Sequence, residues 1–340
     1  MSADEPMTKR TCRTALTRRT FSRAAGGLLI CPSLLASPAV FAQKFPAGAR
    51  IKLVCGSDPG SISDIVGRLV AEQLQSELGV AVYTENKPGA SGIVAARSIL
   101  LAPADGHTVY ITTGAHTIAP LVNKVDYDPV ADFSGVATLA VVTDVLVASP
   151  ASGIASVAGL IGAAKAKPGR LNFASAGLGS ASYMSAEKFR LATGLNVVHV
   201  PFKGPVAAIN EMLAGRIDCY FAPLASVLSL IEAGKLTALA VGSKERSDLL
   251  PNVPTLSEAG VQNAEYLFWV GLLVSSKTPS AIVSTLNGSI VTTLAVPSVR
   301  KAFQTMGLSP LLMTPQQFDE MMRREVIEYG QIIKAGKGNI

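Results

Sequence analysis

Charged side chains make up only 16% of these 340 residues and aromatic ones 6%, with one tryptophan, three histidines and four cysteines. Each shortage removes a class of function. At 49% hydrophobic content, a chain this poor in charge is not disordered, and its length suffices for two domain-sized cores. The formal charge of +6 is concentrated at the start. Within residues 1–42, Lys9, Arg10, Arg13, Arg18, Arg19 and Arg23 meet only Asp4 and Glu5, which leaves the rest at a net +2. No basic stripe with interleaved aromatics remains, so no nucleic-acid partner is expected. His107, His116 and His199 are scattered, without another His or Cys at metal-ligand spacing, and no metal site is expected.

Catalytic signatures are missing too. The run "GLGSAS" at 177–182 ends in Ser182 where a dinucleotide fingerprint has its third glycine, and no acidic residue closes the following strand. "CGSDPGSIS" at 55–63 lacks the Gly-Lys-Ser/Thr ending of a phosphate loop, and no G-x-S-x-G elbow occurs. Apolar runs are short: the one at 24–36 cannot span a bilayer. Preceded by the basic cluster and followed by Val40-Phe41-Ala42, it predicts an export signal cleaved near Ala42. Arg18–Arg19 with Phe21 gives that leader a twin-arginine character. The mature chain is expected free in the periplasm. Cys55 and Cys219, each in a strand-like apolar run of a different domain, are expected to be buried unpaired thiols.

What is present is a repeated plan. Residues 51–103 read as a strand, the loop "GSDPGS", a helix over 63–78 closed by Gly79, a strand over 80–85, the turn "NKPGASG" and a second helix. Ile65, Val66, Leu69, Val70, Leu74 and Leu78 recur at helical spacing, with Ser63 as predicted N-cap. Residues 171–215 repeat the order: strand, "SAGLGSAS", helix to Gly194, strand, Lys-Gly-Pro turn, helix. The tail carries helical periodicity over 280–295, 299–307 and 314–335 and is expected to pack back across the first domain. The fold class is therefore α/β with mostly parallel strands, whose carboxyl ends carry the ligand loops. Those loops are rich in neutral donors: Ser57, Ser61, Ser63, Asn86, Ser91, Thr113, Thr117, Ser175, Ser180 and Ser182. Hydroxyls and backbone N–H groups in a closed cleft hold a carboxylate without a formal cation. His116, after a glycine at a strand end, is a candidate ligand contact, and His107 and His199 are structural candidates.

The stretches "FPAGARIKLV", "SDIVGRLVAEQL", "ENKPGASG", "PADGHTVYITT", "YDPVADF", "KPGRLNFASAGLGS", "HVPFKG", "MLAGRID", "AGKLTALAV" and "LPNVPTLSEAG" stand in one order along 45–340. In them the chain resembles the extracytoplasmic solute receptors of the tripartite tricarboxylate transporters, the Bordetella uptake gene group. The resemblance implies a two-domain periplasmic-binding-protein (venus-flytrap) fold of type II with two chain crossings. Domain one would comprise 43–143 plus 268–340, and domain two 144–267. It further implies a monomeric receptor that captures a small organic acid and delivers it to membrane permease subunits, with no cofactor and no catalysis. Carried over by position, the ligand loops are Ser57, Asp58, Gly60, Ser61, Ser63 and Asp64; Asn86, Lys87, Gly89, Ala90 and Ser91; Gly114 to Thr117; Ser175, Ala176, Gly177, Gly179 and Ser180; and Phe202, Lys203 and Gly204. Family members usually read Pro-Phe-Ala-Ala-Gly-Gly where this chain has Gly56 to Ser61, and a histidine where it has Tyr183. Tyr183 would then add an aromatic wall. Asp58 either faces solvent as a turn residue before Pro59 or accepts a hydrogen bond from a ligand hydroxyl or amine. A ligand sensor using the same cleft, or a hydrolase or isomerase on the same fold, are the alternatives.

Overall fold

Ile51, Leu53, Val54 and Cys55 are all fully buried, so the first strand, β1 (Ile51–Cys55), has no solvent face. Such continuous burial marks the centre of a sheet covered on both sides. The computed structural model describes residues 45–336 apart from Ala47. The export signal expected over 1–42 lies outside the described residues.

In chain order, the first part runs β1, α1 (Ile62–Leu78), β2 (Val82–Asn86), α2 (Ile93–Leu100), β3 (Thr108–Thr113), α3 (Ala115–Val122) and β4 (Phe133–Val142). The middle runs β5 (Asp144–Ala148), α4 (Val157–Ala166), β6 (Asn172–Ser175), α5 (Ala181–Thr193), β7 (Val198–Pro201), α6 (Pro205–Leu213), β8 (Cys219–Pro223), α7 (Leu224–Glu232) and β9 (Thr237–Val241). The last part runs β10 (Trp269–Ser275), α8 (Ser280–Ala295), α9 (Pro297–Thr305), β11 (Leu308–Pro310) and α10 (Pro315–Gly336). Two sheets result, ordered β11-β4-β10-β3-β1-β2 and β7-β6-β8-β5-β9. The first has Ile51, Leu53 and Cys55 in one core and Val54 in another, on its opposite face. The second divides likewise, with Leu146 and Ala148 on one side and Val145 and Val147 on the other.

The expectation of mostly parallel strands is corrected. β1 runs parallel to β2 and β3, and β6 to β7 and β8, as strand–helix–strand units require. The strands that carry the chain between sheets have no crossover helix to reverse them. So β10 lies antiparallel between β3 and β4, and β5 is antiparallel to β8 and β9; β11, which follows α9, also lies antiparallel to β4. Only Thr143 separates β4 from β5, and the chain returns to the first sheet at Trp269.

Gly79 and Gly194 end α1 and α5 in the left-handed conformation (φ 66° and 65°), as read from sequence. The N-cap of α1 is Ser61, not Ser63: Ser61 holds the extended backbone of a cap and accepts from the Asp64 N–H, while Ser63 is already inside the helix. Cys55 and Cys219 are free and buried, one in each sheet. The C-terminal helix α10 packs on α3 and β4, and also reaches α5, where Lys188 pairs with Glu328 at 3.0 Å. Among the described residues no single helix is long and apolar enough to cross a membrane.

Candidate functional site

The carboxyl ends of β1, β2, β3, β6, β7 and β8 converge on one cavity of about 640 Å³ between the sheets. Its first wall begins where β1 ends. A Cβ on Gly56 would come within 3.0 Å of both Gly92 and the Tyr110 hydroxyl, so only glycine lets this loop lie so close to its neighbour. Ser57, Asp58, Ser61 and Ser63 then line the cavity, followed by Gly89, Ala90 and Ser91 from the loop after β2. The opposing wall is Ala176, Gly177 and Ser180 at the start of α5, with Phe202, Lys203 and Gly204 before α6.

Two helices thus begin at the cavity from opposite sides, and both are capped by serine. Ser61 caps α1, and Ser180 caps α5 by accepting from the Tyr183 N–H at 3.2 Å. Each first turn also carries a second hydroxyl: Ser63 sits 3.4 Å from Ser61, and Ser182 sits 3.1 Å from Ser180 while accepting from the Ala176 N–H. Free N–H groups of a first turn and the helix dipole favour an anion between two such ends.

Other residues expected to touch ligand lie outside the cavity wall, each for a visible reason. Asp64 and Asn86 are scaffold. Arg68 donates to both, Asn86 donates to the Ser57 carbonyl at 3.0 Å, and the Gly60 N–H donates to Asp64 at 2.9 Å. Burial pushes the Asp64 carboxyl up, but these donors together hold it below its ordinary value. Gly60 itself is exposed and does not line the cavity. Thr117, fully buried, faces the C-terminal helix and donates to Glu325 at 2.8 Å, and Gly114 lies under Tyr266, whose hydroxyl a Cβ there would strike. His116 is buried against Phe133 with Nε2 2.8 Å from the Pro129 carbonyl, and burial lowers its pKa to about 4. Tyr183 turns inward, its ring 5.0 Å from that of His199, so it forms no cavity wall. Gly179 packs against Ala119 of α3.

Among the described residues, Ser175 and His199 form the one arrangement that resembles a nucleophile and its base, Oγ to Nε2 being 2.6 Å. Ser175 is 0% exposed and does not line the cavity, so its hydroxyl cannot reach a substrate there. It accepts from the Gly177 N–H and holds the loop.

The cavity also takes Thr112 and Thr113 from β3, Asn123 after α3, Tyr220 and Pro223 from β8, and Phe268 before β10. Only Thr113 of these stands out as a loop donor in the sequence. Tyr220 and Phe268 sit in apolar runs, and only the sheet order shows that those runs reach the cleft. Across its mouth the walls touch, Ser91 Oγ donating to the Leu178 carbonyl at 2.9 Å.

Residues 66–337 match the family model described as the tripartite tricarboxylate transporter family receptor. The protein BugT of Bordetella pertussis is 30% identical over 311 residues, covering 91% of this chain and 95% of that one. An R. palustris protein solved with adipate aligns with a TM-score of 0.79 and 31% identity over 84% of this chain and 96% of that one. MatC from Rhodopseudomonas palustris, solved with bound malate, aligns with a TM-score of 0.76 and 27% identity over 84% and 98%. With most of its length matched in sequence and its two-lobed α/β architecture matched in space, the chain belongs to the tripartite tricarboxylate transporter receptor family and is a solute-binding receptor.

Proposed function

We propose that this receptor captures a small carboxylated organic acid in the cleft and delivers it to the membrane subunits of a tripartite transporter. It works in the periplasm as a monomer, after loss of residues 1–42, and without turnover. One observation carries the reading: two serine-capped helix N-termini from opposite lobes open onto the same cavity, which suits a carboxylate held without a formal cation. Similar proteins hold adipate and malate, which supports the same chemistry here. The ligand groups are those of Ser57, Ser61, Ser63, Gly89 to Ser91, Ala176, Gly177, Ser180 and Phe202 to Gly204. The lobes are 43–143 with 268–340, and 144–267, hinged at the two crossings.

A thermal-shift screen of the mature protein against organic acids tests this. An acid at a hundred times its dissociation constant adds about 2.7 kcal/mol of stability. Ser63→Ala, which removes a cavity hydroxyl inside an otherwise intact helix, is expected to weaken that acid by about 1 kcal/mol. If no acid raises the unfolding temperature, the reading fails.

A further inference from the structure

Among the described residues, the charged side chains on the cavity wall are one acid, Asp58, and one base, Lys203. Both sit at the solvent end, being exposed, whereas Ser63, Ser180 and Ser182 are buried. Asp58 nevertheless has a fixed neighbour. Its Oδ2 lies 3.0 Å from where a Cβ on Gly204 would stand, so the carboxylate reaches across the cleft to the opposing lobe. Gly204 is the N-cap of α6 and has no side chain with which to cap it. A negative charge is favoured at that place because the first N–H groups of a helix are unpaired and the dipole is positive there. The N-termini of α1 and α5 carry neutral serine caps, while that of α6 is faced by the receptor's own carboxylate.

We infer that Asp58 is a specificity-determining residue that fills the place of a second ligand carboxylate, so that the receptor selects a monocarboxylic acid with a hydrogen-bond donor at its far end over the matching diacid. This rests on the organic-acid reading of the cleft. The ligand carboxylate lies between the serine-capped ends of α1 and α5, and an apolar body runs along Ile62, Phe202 and Phe268, which line the same cavity. A diacid would bring its second carboxylate next to Asp58. At ~4 Å that repulsion costs about fivefold in affinity even under the full screening of water, and more in a closed cleft. A hydroxyl or ammonium group in the same place donates to Asp58 instead. Lys203, which makes no ion pair among the described residues, offsets Asp58 and leaves the wall without net positive charge for a second carboxylate.

Calorimetry with length-matched series decides the matter: hexanoate, 6-hydroxyhexanoate and adipate, with the corresponding four- and eight-carbon sets. The mature receptor is expected to bind the hydroxy acid of one series best and its diacid at least fivefold more weakly. In Asp58→Ala and Asp58→Asn the diacid is expected to gain fivefold or more and the hydroxy acid to lose affinity. Asp58 is exposed, so both variants should unfold at the parental temperature. A diacid preferred by the parent, or a diacid-to-hydroxy-acid ratio unchanged in both variants, overturns the inference and leaves the organic-acid reading standing. A receptor that binds no member of any series overturns that reading, and this inference with it.

Discussion

Glu325 is a buried carboxylate that meets donors but no cation among the described residues. Trp269 Nε1 and Thr117 Oγ1 each donate at 2.8 Å, and Tyr329 adds its hydroxyl at 3.3 Å. The charge that acts on it is Glu328 of the same helix, itself paired with Lys188 of α5. Burial raises the Glu325 pKa to about 7, against the partial relief of those three donors. Asp144, at the head of β5, is raised to about 6 for the same reason, with Ser185 as its donor at 2.7 Å. A carboxyl raised in the folded state contributes its full share while protonated in both states and loses it as pH climbs through the folded value. Glu325 and Asp144 therefore lower stability between pH 5 and pH 8, while His116, buried neutral with its pKa lowered to about 4, works in the opposite sense over the lower part of that range. Glu325→Gln should remove part of that slope, a difference on the order of 1–3 kcal/mol between the two pH values. Equal pH slopes in parent and variant, measured by calorimetry, would refute the assignment. The network also explains why Thr117, expected from sequence to touch ligand, lies outside the cavity wall. Its place is decided by a helix some two hundred residues further on, and no local pattern announces which side of a strand end that helix will cover.

Elements were more legible than their arrangement. Glycine after an amphipathic run correctly placed the ends of α1 and α5, because a left-handed cap is a local requirement. Strand direction was not legible, since β10 and β5 are reversed by where the chain crosses between sheets, which is a global property. Gly179 shows a local choice with a distant cause. Its φ is +83°, and a Cβ would lie 2.8 Å from Ala119 Cα and 2.9 Å from Val122 of the opposite lobe. Backbone atoms cannot step aside, so Gly179→Ala should hold the lobes apart and weaken ligand binding at least tenfold. Gly194→Ala is the control: it has a similar φ of +65° but nothing within 4 Å of the added carbon. Both variants should lose about 1 kcal/mol of stability from the strained backbone, and only the first should lose affinity. Equal affinity in the two would show that the loop and α3 do not meet in the bound state.

At the scale of the molecule, the question is what holds the lobes together. The polar contacts that join them are slight. One neutral hydrogen bond, Ser91 to Leu178, contributes about 1 kcal/mol, and the pair of Lys188 with the half-exposed Glu328 about 0–1 kcal/mol. Closing an empty cleft would also strip water from the hydroxyls and N–H groups of both walls, which opposes these polar contacts and the packing of Ala181, Tyr183 and Met184 of α5 into the first lobe's core. A ligand that restores the lost hydrogen bonds shifts the balance toward closure. Trp269 is a poor reporter of this motion despite its place at the second crossing. It is fully buried, packed edge-on against Phe318 and bonded to Glu325, partners on the elements it travels with. Small-angle scattering is the better measure. A compact fold of about 300 residues has a radius of gyration near 19 Å. The ligand-free receptor is expected to exceed its ligand-saturated value, and Ser91→Ala to widen that gap at sub-saturating ligand. Identical scattering with and without a ligand that demonstrably binds would mean that the cleft is preformed and that Ser91 latches nothing.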